Sequence, residues 1–254
     1  MELVNTPDGS LLTVESLTKR FFNFVALDSA SFSVHKGRCV ALLGENGAGK
    51  STLIKTLAGI NKKTSGKIVF KGDDIEDAAH IATSGKTPIA FIHQDLGLIE
   101  WMTVAENIGL TLGFPKRFGL INWKLAEKRA KEVLALVGLD IKPSERIFNL
   151  SAAEKSLLAI ARALVADAEL LVLDEPLSGL DQAAQKEMLG LFSAFNKRGG
   201  TIVMVEHNWQ VVIDYCHQAY WMEGELKANG SPAEVLKNFS PVLQRWSDKN
   251  CTVA

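Results

Sequence analysis

The chain has 254 residues, of which 47% are hydrophobic and 22% charged, enough apolar sequence to bury a core in one large domain or in two lobes. Its 28 Lys and Arg residues against 29 Asp and Glu residues give a net charge of −1. This balance lacks the positive surface of a nucleic-acid binder, so we expect a globular protein with no DNA or RNA partner.

Membrane and export signals are not evident in the sequence. The first residues, MELVNTPDGS, are polar, and we expect no secretory leader there because a leader has a basic and then an apolar segment. No run of about 20 apolar residues occurs, so any membrane role is expected to depend on a partner. The cysteines, Cys39, Cys216 and Cys251, lack the paired spacing of a metal or redox motif and fit a reducing cytosol.

Segments near the N-terminus alternate apolar and polar residues, as strands with one solvated face do. They are LLTVESL from Leu11, SASFSVHKG from Ser29 and GKIVFKG from Gly66. We expect them to form an antiparallel β layer.

Other segments are short, continuous apolar runs, which are typical of parallel strands buried on both faces. They are CVALLG, PIAFIH, ELLVLD and TIVMVE, starting at Cys39, Pro88, Glu169 and Thr201. Their alternation with helical segments predicts an α/β fold with a mostly parallel sheet.

Strand signals are absent between residues 96 and 168, where apolar residues recur at helical spacing before Gly138. The residues of this helix face are Ala126, Ala130, Val133, Leu134 and Val137. We therefore predict one domain over residues 1–254. Its parts are a core at about 1–95 and 169–240, an inserted helical lobe at about 96–168 and a short tail at 241–254.

The segment GENGAGKS, Gly44 to Ser51, follows the apolar run CVALL and precedes the helical pattern TLIKTLAGI. Between a strand and a helix, such a sequence is a P-loop, whose backbone N–H groups face phosphate oxygens. Lys50 can reach the β and γ phosphates, and Ser51 can bind Mg²⁺. The expected nucleotide contacts are Asn46, Gly47, Ala48, Gly49, Lys50, Ser51 and Thr52. The alternative is an ordinary Gly-rich turn.

A second motif, LLVLDEP, ends an apolar run with two carboxylates. Asp174 is placed to hold the Mg²⁺ shell and Glu175 to polarise an attacking water. The alternative is a pair of solvated carboxylates at a strand end. The guanine-binding pattern Asn-Lys-x-Asp does not occur, since NKKT and NKRG lack its aspartate, so a GTPase is disfavoured.

Together with further motifs in order, these segments resemble the nucleotide-binding subunit of an ATP-binding cassette (ABC) transporter. TKRFFNFVALD resembles the segment whose aromatic stacks on adenine, here Phe21, and FIHQD supplies Gln94 of the Q-loop. LSAAE stands at the signature position, SGLD ends at Asp181 of the D-loop, and VEH supplies the switch residue His207.

The resemblance implies specific roles for these residues. Glu175, His207 and Gln94 are the expected catalytic residues, while Ser51, Gln94 and Asp174 are the expected Mg²⁺ ligands. Nucleotide binding is expected to extend to Phe21, Ser151, Ala153 and Asp181.

The same resemblance implies an ATPase in which two cassettes, identical or paralogous, close head to tail around two Mg·ATP. Closure is coupled to permease subunits in the membrane and, through them, to an external substrate-binding protein. The chain is then expected at the cytoplasmic face of the membrane. The docking candidates, which are alternatively core residues, are Leu96, Leu98, Ile99, Trp101 and Met102.

Within the family, LLGENGAGKSTLIKTLAGI, FIHQDLGLIEWMTVAENI and INWKLAEKRAKEVLALVGL look most like cassettes of monosaccharide importers. The segment from VEHNWQVV onward also resembles cassettes for other solutes, including amino acids, so that alternative stays open. A second P-loop is absent from the sequence, so a stand-alone subunit and half of a larger arrangement both stay open, and we expect no C-terminal regulatory domain. A soluble ABC factor of translation or DNA repair is a further alternative, but it would normally have tandem cassettes.

The signature LSAAE departs from the family pattern by two alanines and an acid. Ser151 and Glu154 have the spacing of a capping box, so the helix is expected to persist. Its apolar face comprises Leu157, Leu158, Ala161, Leu164 and Val165. Ala152 and Ala153 add methyl groups that oppose positive φ, and Glu154 adds a negative charge near phosphate. We expect a working ATPase, with a hydrolysis-impaired cassette as the alternative.

Overall fold

Two larger β-sheets, a short hairpin and the helices between them form the computed structural model, which describes residues 9–76, 88–92 and 96–239. Elements are numbered in chain order. Their arrangement is the predicted α/β fold, with a mostly parallel sheet and a separate antiparallel sheet. The boundaries of the core and of the lobe remain predictions.

The antiparallel sheet has the strand order β2-β1-β4-β5. Its strands are β1 Ser10–Phe21, β2 Phe24–His35, β4 Ser65–Phe70 and β5 Asp73–Ile75. Residues such as Phe32 and Val34 are buried while Ser31 and His35 are exposed, so the alternating pattern that predicted one wet face is confirmed.

The second sheet has the strand order β12-β11-β3-β10-β9-β6. Its parallel strands are β3 Cys39–Leu43, β6 Ile89–Ile92, β9 Leu170–Asp174, β10 Thr201–Val205 and β11 Gln218–Glu223. The first four were predicted from their apolar runs and are confirmed. The edge strand β12 Glu225–Gly230 is antiparallel to β11, and neither β11 nor β12 was predicted.

Helices connect the strands and cover the sheet. They are α1 Lys50–Leu57, α2 Val104–Leu112, α3 Trp123–Leu136, α4 Ala152–Val165, α5 Gln182–Lys197 and α6 Trp209–Tyr215, with further helical residues at 232–239. No helix in the described ranges is both long enough and apolar enough to cross a membrane.

Two buried clusters lie on opposite faces of the parallel sheet. Val40 and Leu42 of β3 pack with the antiparallel sheet and α1, whereas Ala41 and Leu43 pack with the helices that follow. Successive strand residues point to opposite faces, so one short apolar strand serves both cores. This arrangement fixes β3, and with it the loop that follows, from both sides.

The helical segment between β6 and β9 contains α2, α3 and α4. The predicted face of α3 is confirmed: Ala126, Ala130, Val133 and Leu134 are buried. A two-stranded hairpin, β7 Lys116–Arg117 and β8 Leu120–Ile121, also lies here, so the expectation of no strand between residues 96 and 168 was wrong. Each strand of this hairpin has only two residues, both exposed, so the sequence shows no apolar strand pattern there.

The residues considered for docking divide between two environments. Leu96 and Leu98 pack against the helix-side core, whereas Ile99 and Trp101 are 43% and 74% exposed. Trp101 lies against Phe148, with ring centroids 5.7 Å apart. Of the proposed set, Ile99 and Trp101 therefore present the apolar surface, the two leucines serve packing, and Met102 is half-buried.

Candidate functional site

The polar residues singled out in the sequence meet at the carboxyl edge of the parallel sheet. Loop 44–51 follows β3, Asp174 and Glu175 end and follow β9, and His207 follows β10. These three strands are neighbours, with Val205 paired to both Leu42 and Asp174. The carboxyl edge of such a sheet is where ligands bind in open α/β folds.

Loop 44–51 is held so closely that two of its positions require glycine. A Cβ on Gly44 would lie 2.3 Å from the carbonyl oxygen of Met222 in β11, and one on Gly49 would lie 2.5 Å from that of Ala26 in β2. Both glycines also have positive φ. The loop conformation is therefore set by backbone on both sides.

Backbone hydrogen bonds reinforce this enclosure through the turn between β11 and β12. The amide of Gly224 donates to the carbonyl oxygen of Ala48, and the amide of Asp28 donates to that of Gly224, both at 2.9 Å. The turn thus connects the loop to the antiparallel sheet.

Lys50 begins α1 and is buried against the loop. Its Nζ donates to the carbonyl oxygens of Gly44 and Glu45, each at 2.8 Å. Burial lowers the pKa of the Lys50 ammonium, and the carboxylates of Glu175 and Asp174 oppose this shift. The Lys50 amine therefore lies between the carbonyl oxygens of the loop and two nearby acids.

Ser51 and Asp174 approach each other across the edge of the sheet, with Ser51 Oγ 3.5 Å from Asp174 Oδ1. A hydroxyl and a carboxylate together offer the hard oxygen donors that Mg²⁺ prefers, and Mg²⁺ commonly completes its shell with phosphate and water. The donor set of these two residues fits magnesium.

Glu175 and His207 form a polar pair beside this cluster. His207 Nε2 lies 3.0 Å from Glu175 Oε1. Glu175 has φ of 51°, and its amide donates to the carbonyl oxygen of Val205 at 3.0 Å. A left-handed conformation in a non-glycine residue costs on the order of 1–3 kcal/mol, so the position of this carboxylate is tightly imposed by its surroundings.

Glu206 is a residue of this site that the sequence reasoning missed. It is only 8% exposed, and its Oε1 accepts the amides of His207 and Asn208 at 2.9 and 3.0 Å. Its other oxygen, Oε2, is buried without a hydrogen-bond partner. The carboxylate fixes the backbone that carries His207, and the acid before the histidine in VEH was the available signal.

The N-terminus of α4 has the predicted capping box. Ser151 Oγ accepts the Glu154 amide at 3.2 Å, while Glu154 Oε2 accepts the Ser151 amide at 2.7 Å and lies 2.8 Å from Ser151 Oγ. Glu154 therefore directs its carboxylate into its own cap. Ala152 and Ala153 are the first two residues of α4 and are helical, so neither position requires the positive φ that an alanine methyl group opposes.

The other predicted site residues occupy defined places. Phe21 ends β1 with Lys19 Nζ 4.6 Å from its ring centroid, and the neighbouring Phe22 is fully exposed at the turn. Asp181 caps α5, accepting the amide of Ala184 at 2.8 Å. Gln94 lies outside the described residues. Asn46, Gly47 and Thr52 belong to the loop and the start of α1.

Similarity to curated proteins covers most of the chain. The Ribose import ATP-binding protein RbsA of Caldanaerobacter subterraneus subsp. tengcongensis is 33% identical over 229 residues, which are 90% of this chain and 46% of that protein. A Putative ribose/galactose/methyl galactoside import ATP-binding protein 2 of Agrobacterium fabrum is 36% identical over 197 residues, 78% of this chain and 38% of that protein. The chain spans less than half the length of these relatives.

Solved structures of ATP-binding cassettes share the fold of this chain over most of its length. A nucleotide-free ATP-binding cassette from an ABC transporter is 28% identical, has a TM-score of 0.77, and is matched over 90% of this chain and 94% of that one. A dimeric cassette in a post-hydrolysis state bound to ADP and Pi is 25% identical, with a TM-score of 0.75 over 87% of this chain and 98% of that one.

A family model described as ABC transporter matches residues 27–178. This range contains loop 44–51 with its glycines, the contact between Ser51 and Asp174, and the capping box at the start of α4. With motif, geometry and family model in agreement over more than half of its length, the chain belongs to the ABC transporter family.

Proposed function

We propose that this chain is an ATP-hydrolysing, nucleotide-binding subunit that powers an ABC importer, with a sugar as the cargo. The observation that carries the proposal is the meeting of Lys50, Ser51, Asp174, Glu175 and His207 at one sheet edge. A phosphate-binding loop, a metal-binding pair and an acid beside a histidine are the parts that phosphoryl transfer to water needs.

The nucleotide is proposed to lie along loop 44–51, with its phosphates against the backbone N–H groups and the start of α1. Lys50 would exchange its contacts with the loop carbonyls for the β and γ phosphates. Adenine would stack on Phe21 at the end of β1. Thr52 and the loop residues Asn46, Gly47, Ala48 and Gly49 complete the phosphate side.

Ser51 and Asp174 would hold Mg²⁺, with Gln94 as a further ligand from the family resemblance. When bound, Mg²⁺ neutralises phosphate charge and orients the terminal phosphate. Glu175 would accept a proton from the attacking water, and His207, at 3.0 Å from Glu175, would donate a hydrogen bond to the γ-phosphate.

A second cassette, identical or paralogous, is proposed as a partner across the nucleotide. Ser151, Ala153 and Asp181 would contact the nucleotide held by the other cassette, as the family resemblance implies. A related cassette is dimeric in its post-hydrolysis state with ADP and Pi, which supports this arrangement. Binding of ATP would close the dimer and hydrolysis would reopen it.

The sugar is proposed because the relatives from Caldanaerobacter and Agrobacterium are named for ribose or galactoside import. Permease subunits would receive the movement at the membrane, with Ile99 and Trp101 as exposed contacts, and a substrate-binding protein would act through them. The chain would then work at the cytoplasmic face of the membrane. An importer of another small solute, such as an amino acid, is the alternative cargo class.

The decisive experiment is co-purification of the chain with an importer permease from the same organism, followed by ATPase measurement in liposomes with the matching substrate-binding protein and a panel of solutes. We expect ATPase activity that ribose or another monosaccharide stimulates. Stimulation by amino acids alone would replace the cargo. Absence of ATP hydrolysis by the assembled complex would contradict the ATPase itself.

A hydrolysis-impaired regulatory cassette is the second candidate, and the signature favours it. The Glu154 carboxylate lies 2.8 Å from Ser151 Oγ, the hydroxyl that the family resemblance directs at the γ-phosphate. Tight ATP binding with turnover that stays near background in the full complex would support this candidate over the working importer.

A further inference from the structure

We propose that Cys39 and Cys216 form a reversible modification site, a buried dithiol that a peroxide converts into a disulfide between the start of β3 and the end of α6. The two residues are 177 positions apart, and their Sγ atoms are 3.6 Å apart. Both are free cysteines. The proposal is independent of nucleotide chemistry.

The backbone around the two sulfurs is fixed by paired strands. The amide of His217 donates to the carbonyl oxygen of Cys39 at 2.8 Å, and the Cys39 amide donates to His217 Nδ1 at 3.0 Å. One step further, Val40 pairs with Gln218 in the parallel ladder. A disulfide needs sulfurs at about 2.05 Å, which side-chain rotation at these anchored positions has to supply.

Access to the pair is through a cavity on the Cys39 side. Cys39 is 3% exposed and Cys216 is 8% exposed, so neither thiol lies on the open surface. Cys39 nevertheless lines a cavity of about 330 Å³ whose walls include the exposed residues Lys197, Asp214 and His217. This volume admits a molecule as small as hydrogen peroxide, and we take Cys39, which lines the cavity, as the sulfur that is oxidised first.

The chemistry proceeds in two balanced steps. The Cys39 sulfur attacks one peroxide oxygen, which breaks the O–O bond and gives a sulfenic acid at Cys39, and the proton lost by the Cys39 thiol converts the departing oxygen into water. The Cys216 sulfur then attacks the Cys39 sulfur and its proton passes to the sulfenic oxygen, so the S–S bond forms and that oxygen leaves as a second water. In total, two thiols and one hydrogen peroxide give one disulfide and two waters.

The surroundings of Cys216 disfavour the thiolate form of this residue. The contact with Cys39, burial and the nearby Glu206 carboxylate raise the pKa of the Cys216 thiol, so Cys216 is protonated at neutral pH. A protonated thiol is a poor nucleophile toward peroxide. This agrees with Cys39 as the sulfur that the peroxide oxidises and Cys216 as the resolving one.

The expected consequence is mechanical, because the crosslink would join residues that are 177 positions apart and so close a long loop. Closing a loop of this length removes much freedom from the unfolded chain. We expect the oxidised protein to have a Tm higher by about 5–15 °C.

The test treats the protein with hydrogen peroxide, blocks remaining thiols with an alkylating agent and identifies crosslinked peptides by mass spectrometry. A Cys251→Ser background removes the third cysteine, so that a disulfide within one chain can form only between Cys39 and Cys216, and non-reducing electrophoresis excludes crosslinks between chains. The expected result is one crosslink, loss of the mass of two hydrogen atoms, the rise in Tm, and reversal of all three by a dithiol reductant.

Cys39→Ser and Cys216→Ser in the same background are the matched controls, and we expect no crosslink and no rise in Tm in either. The crosslink readout on the Cys251→Ser protein stands even if one of these variants folds poorly. Thiols left intact at peroxide concentrations that oxidise free glutathione would overturn the proposal. Sulfinic acid at Cys39 without a crosslink to Cys216 would overturn it equally.

Discussion

Glu175 is held by its left-handed backbone and by the 3.0 Å contact with His207, and on the proposed function it is the general base. Glu175→Gln keeps the shape and hydrogen bonding but cannot accept a proton at neutral pH. We expect ATP binding to persist, turnover to fall by roughly 10²–10⁴-fold, and ATP-bound dimers to accumulate.

These quantities are measured by nucleotide binding, phosphate release and sedimentation. Glu132→Gln, an exposed change on α3, is the matched control and should behave as the unmodified protein. Turnover of Glu175→Gln near the unmodified rate would remove Glu175 from its role.

Phe21 and Phe22 test which aromatic meets adenine. Phe21→Ala should weaken ATP binding by roughly 1–2 kcal/mol because an aromatic contact with the base is lost. Phe22 is fully exposed at the turn, so Phe22→Ala should leave binding unchanged. Isothermal titration of both variants with ATP decides the matter, and the reverse pattern would move the stacking role to Phe22.

At the scale of single residues, the sequence shows which residue types occur and how they are spaced, but it does not show which distant residues contact each other. It predicted the box formed by Ser151 and Glu154 because capping depends only on neighbours three positions apart. It could not predict that Glu206 would be buried with two backbone amides on one oxygen, because burial there depends on the packing of distant elements. The contact between Cys39 and Cys216 could not be predicted either, because the two residues are far apart in the sequence and meet only through packing.

At the level of elements, α2 and α4 begin with the same structure. In α2, Thr103 and Glu106 form a capping box with the same two backbone bonds as Ser151 and Glu154, including an amide-to-carboxylate bond of 2.7 Å in each. The two helix starts differ in their proposed surroundings, because only α4 would face a nucleotide. They therefore provide a matched comparison within one chain.

Glu154→Gln should strengthen ATP-driven dimerisation by on the order of 1 kcal/mol at low salt, since one negative charge leaves the neighbourhood of the opposing γ-phosphate. The gain should shrink at high salt because of screening. An acceptor remains for the cap, so folding stability should fall by at most about 1 kcal/mol through the lost charge at the helix N-terminus.

The measurement is ATP-driven dimerisation in the Glu175→Gln background at two salt concentrations. Glu106→Gln in α2 is the control and should change stability similarly without changing dimerisation. If the two variants dimerise alike, the inward-turned Glu154 carboxylate exerts no effect on the partner's nucleotide.

Prediction of elements succeeded where the pattern was local and failed where pairing was remote. The strands β3, β6, β9 and β10 were legible as buried apolar runs. β12 alternates exposed and half-buried residues and contains Gly and Asn, so only its pairing with β11 makes it a strand. The hairpin β7–β8 likewise consists of two exposed residues on each side.

On the scale of the molecule, the helical residues at 232–239 return to the parallel sheet through an aromatic stack. The ring centroids of Phe239 and Trp221 of β11 are 4.5 Å apart, and the two rings are inclined by 13°. The centroids of Trp221 and Trp209 of α6 are 6.4 Å apart. This stack joins the end of the described chain to the strand beside β3.

Phe239→Ala should lower the free energy of unfolding by roughly 1–3 kcal/mol, because Phe239 is only partly buried and the loss combines apolar area with aromatic contact. Urea unfolding followed by tryptophan fluorescence measures it. Phe24→Ala, at an exposed position, should change the free energy by less than about 0.5 kcal/mol. Equal effects of the two changes would mean that the stack does not secure the helix.

The turn at Gly224 connects loop 44–51 to β2 through two backbone hydrogen bonds, so a change in the mobility of the loop should also change the mobility of the turn and of β2. Opening of the Gly224 amide requires its bond to Ala48 to break, and opening of the Asp28 amide requires its bond to Gly224 to break. A ligand that stiffens the loop should therefore slow hydrogen–deuterium exchange in both segments, although neither belongs to the loop. Exchange mass spectrometry with and without ATP should show protection extending into β2, and unchanged exchange there would mean that the two sheets move independently of the nucleotide.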